Sequence, residues 1–184
     1  MKNIQRFLMI LATVLLVSCG DEKKEQETIT IGEEGTVETN TNTTAPDTAT
    51  TSSEAVMSKD GLVQVNLTGN DQMQFNLKEI KVKAGETVRL TLKHVGQLPK
   101  NAMGHNFVLL QKGTDIVDFA TKAASASENE YIPEGTNQVI VHTDMVGGGE
   151  ETTIEFTAPE AGTYDFICSF PGHYIQMQGK FIVE

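Results

Sequence analysis

The 184-residue chain contains few residues of several types: two cysteines, four histidines, five prolines and no tryptophan. Basic side chains are also scarce, because 14 lysines and arginines stand against 25 aspartates and glutamates, giving a net charge of -11. Phosphate binding needs a basic surface, so this balance excludes nucleic acid as a partner.

Long hydrophobic runs are missing apart from one near the N-terminus, where Lys2 and Arg6 precede an apolar stretch from Phe7 to Val17. This stretch is too short for a permanent membrane span and has the form of a secretory signal. It ends in Leu16-Val17-Ser18-Cys19, which resembles a bacterial lipobox. The pattern predicts an exported, membrane-anchored lipoprotein that faces the periplasm or the cell surface, with lipid on Cys19. The alternative is an ordinary signal peptide in which Cys19 falls by chance.

The predicted lipidation of Cys19 bears on the interpretation of the second cysteine, Cys168. If Cys19 is acylated, Cys168 is the only thiol left, and the mature chain can form no internal disulfide. A lone cysteine in an exported protein indicates intermolecular pairing, a reactive thiol or metal ligation.

Composition divides the chain into three parts. Residues 1–18 are predicted to be the lipoprotein signal peptide. Residues 19–58, which begin with the lipidated cysteine, are rich in Thr, Glu, Asn and Ser and are predicted to be a disordered tether, because they cannot bury enough apolar surface to offset their ordering entropy. Residues 59–184 are predicted to be the folded domain.

Within 59–184, short apolar or alternating segments recur between glycine-containing turns, as expected for β-strands. One helical segment is predicted between Asp115 and Glu130. This arrangement predicts an all-β fold, a Greek-key β-barrel or sandwich of about eight strands with one helical insertion. The predicted strands are 62–67, 80–82, 88–92, 107–110, 139–141, 153–156, 164–168 and 180–183.

The stretch from Cys168 to Met177 has the spacing C-x4-H-x3-M, with His173 as its histidine. A thiolate, an imidazole and a thioether on one tight loop are the soft and borderline ligands that select copper. His105, which follows Gly104, is the best candidate for the second imidazole. Two His and one Cys in a plane with a long axial Met form the geometry of electron-transfer copper.

Each of these residues could have an ordinary structural role instead of binding a metal. Cys168 could be a small buried hydrophobe, and Met177 could serve core packing. Zinc is the competing metal, but zinc sites rarely use methionine. The joint spacing favours copper.

Four stretches make the chain resemble the azurins, the blue copper proteins of the cupredoxin family. The resemblance implies a cupredoxin-like fold and one Cu(I)/Cu(II) ion, held by the Gly104 carbonyl, His105, Cys168, His173 and Met177. It also implies that Asn106 ties the ligand loops together and that Asn106 and the backbone of Phe170 hydrogen-bond near the Cys168 sulfur. The matching stretches are Gly69-Asn70-Asp71-Gln72-Met73-Gln74-Phe75-Asn76, Leu98-Pro99-Lys100-Asn101 with Met103-Gly104-His105-Asn106, Val139-Ile140-Val141-His142-Thr143, and Cys168-Ser169-Phe170-Pro171-Gly172-His173.

The chain departs from the azurin pattern in two stabilising features. Azurins usually carry a disulfide between their first and third strands, and neither Val63 nor the region around Gly85 offers a cysteine. Phe107 stands where the family usually has a buried tryptophan. By the same resemblance, His94 is a partly buried structural residue near the site, and His142 lies on the surface.

By resemblance, the function is one-electron transport by a mononuclear type 1 (blue) copper centre near the membrane, and the chain is not an enzyme. The expected partners are redox proteins such as c-type cytochromes or copper oxidoreductases, and the expected oligomeric state is a monomer. Copper storage or delivery is one alternative, but it favours Met- or His-rich exposed sites, and the seven methionines are scattered. A nitrite reductase or multicopper oxidase would need a further copper site with more histidines than four.

Overall fold

The computed structural model describes residues 56–184, so the predicted signal peptide, Cys19 and most of the predicted tether lie outside the described residues. Nine strands and two short α-helices make up the described part, with 3₁₀ turns at Ser127–Asn129 and His173–Ile175. In chain order, the elements are β1 (Val56–Lys59), β2 (Leu62–Gly69), β3 (Glu79–Val82), β4 (Thr87–His94), α1 (Lys100–Met103), β5 (Val108–Leu110), α2 (Ile116–Ala123), β6 (Val139–His142), β7 (Glu151–Thr157), β8 (Gly162–Ile167) and β9 (Gln178–Val183).

The strands form two sheets. One sheet has the order β1-β2-β4-β7, and the other has the order β3-β9-β8-β5-β6. β2 pairs with β4 in parallel, as does β3 with β9, while the other neighbours are antiparallel. This architecture confirms the predicted all-β fold, which takes the form of a sandwich.

The main core is built from strand residues of both sheets. In β2 and β4, every second residue is buried, as the alternation in the sequence predicts. These side chains meet large apolar residues of the second sheet, among them Phe166 and Phe181, in one continuous cluster. Val63, at the position where azurins usually have a cysteine, is 1 % exposed within this cluster.

β5 is apolar on both faces because both faces are covered. Leu109 packs into the main core, whereas Val108 and Leu110 point to a second cluster with Phe119 and Ala123 of α2. The Asp115 side chain caps α2 by accepting the N–H of Asp118 at 2.9 Å. The helical insertion therefore covers the outer face of the strand that follows the His105 loop.

The described residues differ from the predicted elements in two places. β1 occupies Val56–Lys59, where the tether was expected to end. The side chains of β1 are mostly exposed, so its sequence lacks the apolar alternation that marks a half-buried strand. The one-turn helix α1 was not predicted, because four residues are too few to show a helical period. Within the described part of the chain, no helix is long and apolar enough to cross a membrane.

Candidate metal centre

Segments from two other parts of the chain meet beside Gly69, the last residue of β2. A Cβ atom at Gly69 would lie 2.6 Å from His105 Cδ2 and 3.2 Å from Met177 Cε. The absence of a side chain at Gly69 therefore makes room for both residues. The segment between α1 and β5 contributes His105, and the loop between β8 and β9 contributes Met177.

His105 is held by its backbone and by its ring. Its backbone N–H and C=O pair with Val146 at 2.9 and 2.8 Å, forming an isolated antiparallel bridge. Its ring Nε2 lies 2.9 Å from the Asn70 carbonyl oxygen. A carbonyl only accepts hydrogen bonds, so Nε2 carries the proton and Nδ1 keeps a free lone pair.

The two imidazoles and the thiol converge. Cys168 Sγ lies 4.0 Å from His105 Nδ1 and 3.7 Å from His173 Nδ1. The ligand atoms of these three buried residues all lie within 4.8 Å of one another. A single ion between them could be reached by one sulfur and two nitrogens at once.

Backbone hydrogen bonds fix the loop that carries Cys168, His173 and Met177. The Cys168 N–H donates to the Met177 carbonyl at 2.9 Å, and the Met177 N–H donates to the His173 carbonyl at 2.7 Å. Gly172, with φ of 82°, supplies the left-handed turn before His173. The predicted spacing C-x4-H-x3-M thus corresponds to a closed loop.

Met177 and Gly104 also border the site. Met177 is 0 % exposed and belongs to the same apolar cluster as Cys168. The Gly104 carbonyl oxygen lies 3.8 Å from Cys168 Sγ. A Cβ at Gly104 would lie 2.6 Å from the Lys100 carbonyl and 2.9 Å from Met145 Sδ, so a side chain there would displace the loop.

Burial sets the protonation of the three donors. It lowers the pKa of His105 and of His173 to about 4, so both rings are neutral at pH 7 and can donate a lone pair. It raises the pKa of the Cys168 thiol to about 12, and the backbone N–H groups of Asn106 and Phe170 act in the opposite direction. A metal ion must displace the thiol proton when it binds.

Asn106 joins the two ligand loops. Its side-chain oxygen accepts the Ser169 N–H at 2.8 Å, and its Nδ2 donates to Ser169 Oγ at 2.8 Å and to the Glu130 carbonyl at 3.1 Å. Asn106 follows His105 and Ser169 follows Cys168, so these bonds tie the neighbours of two donors together. They confirm the expectation that Asn106 links the loops.

The other two histidines lie outside the group of donors. His94 is 0 % exposed, so it is fully rather than partly buried, and its ring packs against that of His105 with centroids 4.4 Å apart and a tilt of 39°. Burial lowers the pKa of His94. His142 is partly buried, and its Nδ1 lies 3.0 Å from the Thr143 carbonyl oxygen.

Several residues around the site had no assigned role in the sequence analysis. Gly69 and Asn70 stand in a recognised stretch, yet nothing in the sequence says that the Asn70 carbonyl faces His105. Ser169 and Glu130 were likewise unassigned. Their contacts depend on which loops meet, so the only signal available beforehand was the Gly-Asn-Asp turn pattern.

The donors fit copper. A thiol and two neutral imidazoles, close together and buried beside a thioether, match the soft and borderline ligands of electron-transfer copper sites. Their burial also keeps competing water ligands out.

Comparisons with known proteins agree with this chemistry. Residues 61–184 match the family model of copper-binding proteins, plastocyanin/azurin family. The azurin of Pseudomonas chlororaphis is 40% identical over 126 residues, covering 66% of this chain and 98% of that protein. The azurin of Alcaligenes faecalis is 41% identical over 119 residues, which cover 62% of this chain and 93% of that protein.

Solved structures show the same relation. Auracyanin A, a "blue" copper protein from Chloroflexus aurantiacus, superposes with a TM-score of 0.62 at 32% identity, covering 67% of this chain and 99% of that one. An azurin from Methylomonas sp. strain J superposes with a TM-score of 0.59 at 31% identity, covering 66% of this chain and 97% of that one. The chain belongs to the plastocyanin/azurin family of copper-binding proteins.

Proposed function

We propose that the chain is a one-electron carrier, not an enzyme, that uses one type 1 copper ion to shuttle electrons between redox proteins near a membrane. The observation that carries the proposal is the convergence of His105, Cys168 and His173, whose ligand atoms lie within 4.8 Å of one another in a buried site. Bound copper would supply a reversible one-electron couple between Cu(I) and Cu(II).

Five residues form the proposed ligand set. His105 and His173 offer neutral nitrogens, Cys168 offers sulfur, and Met177 offers a thioether. The Gly104 carbonyl, 3.8 Å from the sulfur, is the proposed weak fifth contact. Backbone hydrogen bonds already hold the loop from Cys168 to Met177 closed. Little rearrangement therefore has to accompany a change of charge at the site.

Burial of the donors argues against copper delivery. His105 and Cys168 are 0 % exposed and His173 is 3 % exposed. A delivery protein must pass the metal to a partner's ligands, which requires donors that a partner can reach. A carrier needs only one ligand edge close to the surface, and His173 supplies that edge.

Copper loading of the full chain tests the function. The Cu(II) form should absorb strongly in the visible through charge transfer from the thiolate, with one copper per chain and the small hyperfine splitting of a blue site in its paramagnetic resonance spectrum. Reduction by one electron should bleach the colour reversibly. A colourless protein with full Cu(II) occupancy would refute the proposal.

Met177 is proposed as the axial ligand that helps to set the reduction potential. Replacing it with Leu removes a donor that favours Cu(II) while nearly conserving volume. We expect the blue colour to survive and the potential to rise by about 60 mV, which corresponds to a tenfold loss of preference for Cu(II) in a one-electron couple. Voltammetry measures the shift.

The matched control for this variant is Met57→Leu, because Met57 is 51 % exposed on β1. Its potential should equal that of the wild type. An unchanged or lower potential in Met177→Leu would show that this methionine is not axial.

The surface around His173 is the proposed docking face for redox partners. Ile175 is 66 % exposed and Leu98 is 42 % exposed, and Pro171 is also exposed. Met73, Met103 and Phe170 are partly buried. A small apolar interface suits an electron carrier, because it releases its partner quickly after transfer.

A charge on this face tests the docking proposal. Ile175→Glu should slow electron self-exchange by roughly tenfold, because two like charges must then meet in the encounter, without altering the visible spectrum. Val117→Glu on α2 is the matched control, since Val117 is 58 % exposed. Equal rates in both variants would mean that electrons leave by another face.

The lipobox-like Leu16-Val17-Ser18-Cys19 supports a membrane-anchored location on the periplasmic side or the cell surface. Cys19→Ala should abolish labelling with radioactive fatty acid and release the protein from the membrane fraction, because two or more acyl chains are needed for a firm anchor. The copper spectrum should not change. An unlabelled wild type would show that Cys19 is not lipidated.

A further inference from the structure

Two consecutive residues beside the metal centre adopt a left-handed backbone. Glu130 has φ of 53° and Tyr131 has φ of 58°, at the end of the 3₁₀ turn Ser127–Asn129. Residues other than glycine enter this region at an energetic cost, and the conformation persists only where surrounding contacts hold it. The contacts of Glu130 and Tyr131 therefore indicate which interactions maintain the left-handed conformation.

Glu130 reaches two different segments. Its backbone carbonyl accepts a hydrogen bond from Asn106 Nδ2 at 3.1 Å. Its side-chain Oε2 accepts the Met145 N–H at 2.7 Å. An acceptor that carries a formal charge makes a stronger hydrogen bond than a neutral one. The left-handed turn lets one residue present both acceptors to neighbouring segments.

Both segments carry or contact proposed ligands. Asn106 follows His105 and binds Ser169, which follows Cys168. Met145 precedes Val146, whose backbone pairs with that of His105. The Met145 side chain also packs against Gly104, since its Sδ would lie 2.9 Å from a Cβ at that position.

Tyr131 extends the same support to the other ligand loop. Its ring packs edge-on against Phe170 with centroids 5.1 Å apart, and Phe170 packs against His173 at 4.6 Å. The Glu130-Tyr131 pair thus touches both the segment before β5 and the loop after β8.

We propose that Glu130 is a positioning residue of the metal centre, which holds Asn106 with its carbonyl and the Met145–Val146 segment with its carboxylate. This inference rests on the proposed copper function. By holding both segments, Glu130 limits movement of Gly104 and His105 relative to Cys168. A site held in this way releases copper slowly and rearranges little when its oxidation state changes.

Three variants of the full chain separate the hydrogen bond from the charge. Glu130→Ala removes the carboxylate that accepts the Met145 N–H and keeps the backbone carbonyl that accepts from Asn106, so copper should dissociate about tenfold faster, as is typical when a group that orients a ligand is lost. Glu130→Gln keeps an acceptor oxygen without its charge, so its rate should lie between those of the wild type and Glu130→Ala. Glu128→Gln removes an exposed charge two residues away and should change nothing. Release of copper to a chelator, followed by the visible absorption, gives the rates.

A role in positioning also predicts an effect without metal. In the metal-free protein, the amide proton of Met145 should exchange with solvent several-fold faster in Glu130→Ala than in the wild type, because the variant lacks the carboxylate that accepts it. Glu130→Gly relaxes the left-handed backbone but still lacks the carboxylate, so its Met145 amide should exchange as fast as that of Glu130→Ala. This measurement decides the role of Glu130 even if the wild type proves colourless.

Two outcomes would overturn the inference. Wild-type copper release and amide exchange in Glu130→Gly would show that only the backbone conformation matters. Equal losses in Glu130→Gln and Glu130→Ala would show that the charge matters rather than the hydrogen bond.

Discussion

Replacing Cys168 with Ser should abolish the intense visible absorption of the copper-loaded protein. The band requires charge transfer from a thiolate, and a serine oxygen is too hard a ligand to provide it. Cys168 is 0 % exposed, and its Sγ lies 3.8 Å from the Gly104 carbonyl, so a serine hydroxyl has an acceptor close by. The loss should therefore come from the missing ligand and not from unfolding.

Visible and paramagnetic resonance spectra of the variant at a measured copper content check this prediction. Circular dichroism of the metal-free protein is the control for folding. Residual Cu(II) should give the pale colour and wide hyperfine splitting of ordinary nitrogen and oxygen ligands. Survival of the intense band in Cys168→Ser would mean that the chromophore lies elsewhere, and the proposed ligand set would have to be abandoned.

Replacing Asn106 with Ala should give the largest loss of stability that a single polar side chain near the site can cause. Asn106 is 0 % exposed, and its side chain makes three hydrogen bonds to Ser169 and Glu130. At about 1 kcal/mol for each bond, we expect at least roughly 3 kcal/mol of destabilisation, because buried groups left unpaired add a further cost.

Urea unfolding of the metal-free protein measures this effect without the stabilisation that bound metal adds. A loss of this size should lower the urea midpoint by roughly 1–3 M, given typical slopes for small domains. Asn101→Ala on the exposed face of α1 is the matched control and should shift the midpoint little. A midpoint shift in Asn106→Ala as small as that of Asn101→Ala would show that water replaces the lost bonds.

The four side-chain donors were predictable to different degrees because their separation along the chain differs. Cys168, His173 and Met177 lie on one loop, where spacing alone indicates that they face a common point. His105 lies 63 residues before Cys168, and spacing cannot bring it to the loop. Its assignment rests on the resemblance to the azurins, and the structure brings its Nδ1 to 4.0 Å from Cys168 Sγ.

The fold was predictable where side chains alternate or run apolar. β2 and β4 are half buried, and β5 is buried on both faces, so each has a recognisable pattern. β1 is mostly exposed, and backbone pairing with β2 rather than apolar burial makes it a strand. The contacts of Glu130 were not predictable either. They depend on a left-handed turn at Glu130 and Tyr131, and neither position has the glycine that would indicate such a turn in the sequence.

The pairing of β8 with its two neighbours has a consequence for the order of assembly. Ile167 pairs with Val108 of β5 on one side and with Gln178 of β9 on the other. A slip of one residue would turn Cys168 to the opposite face, and a slip of two would move it about 7 Å along the strand. The metal donors therefore come within reach of one ion only after both strand pairs have closed in the correct register. An ion that binds all of these donors therefore stabilises the correct register over its alternatives.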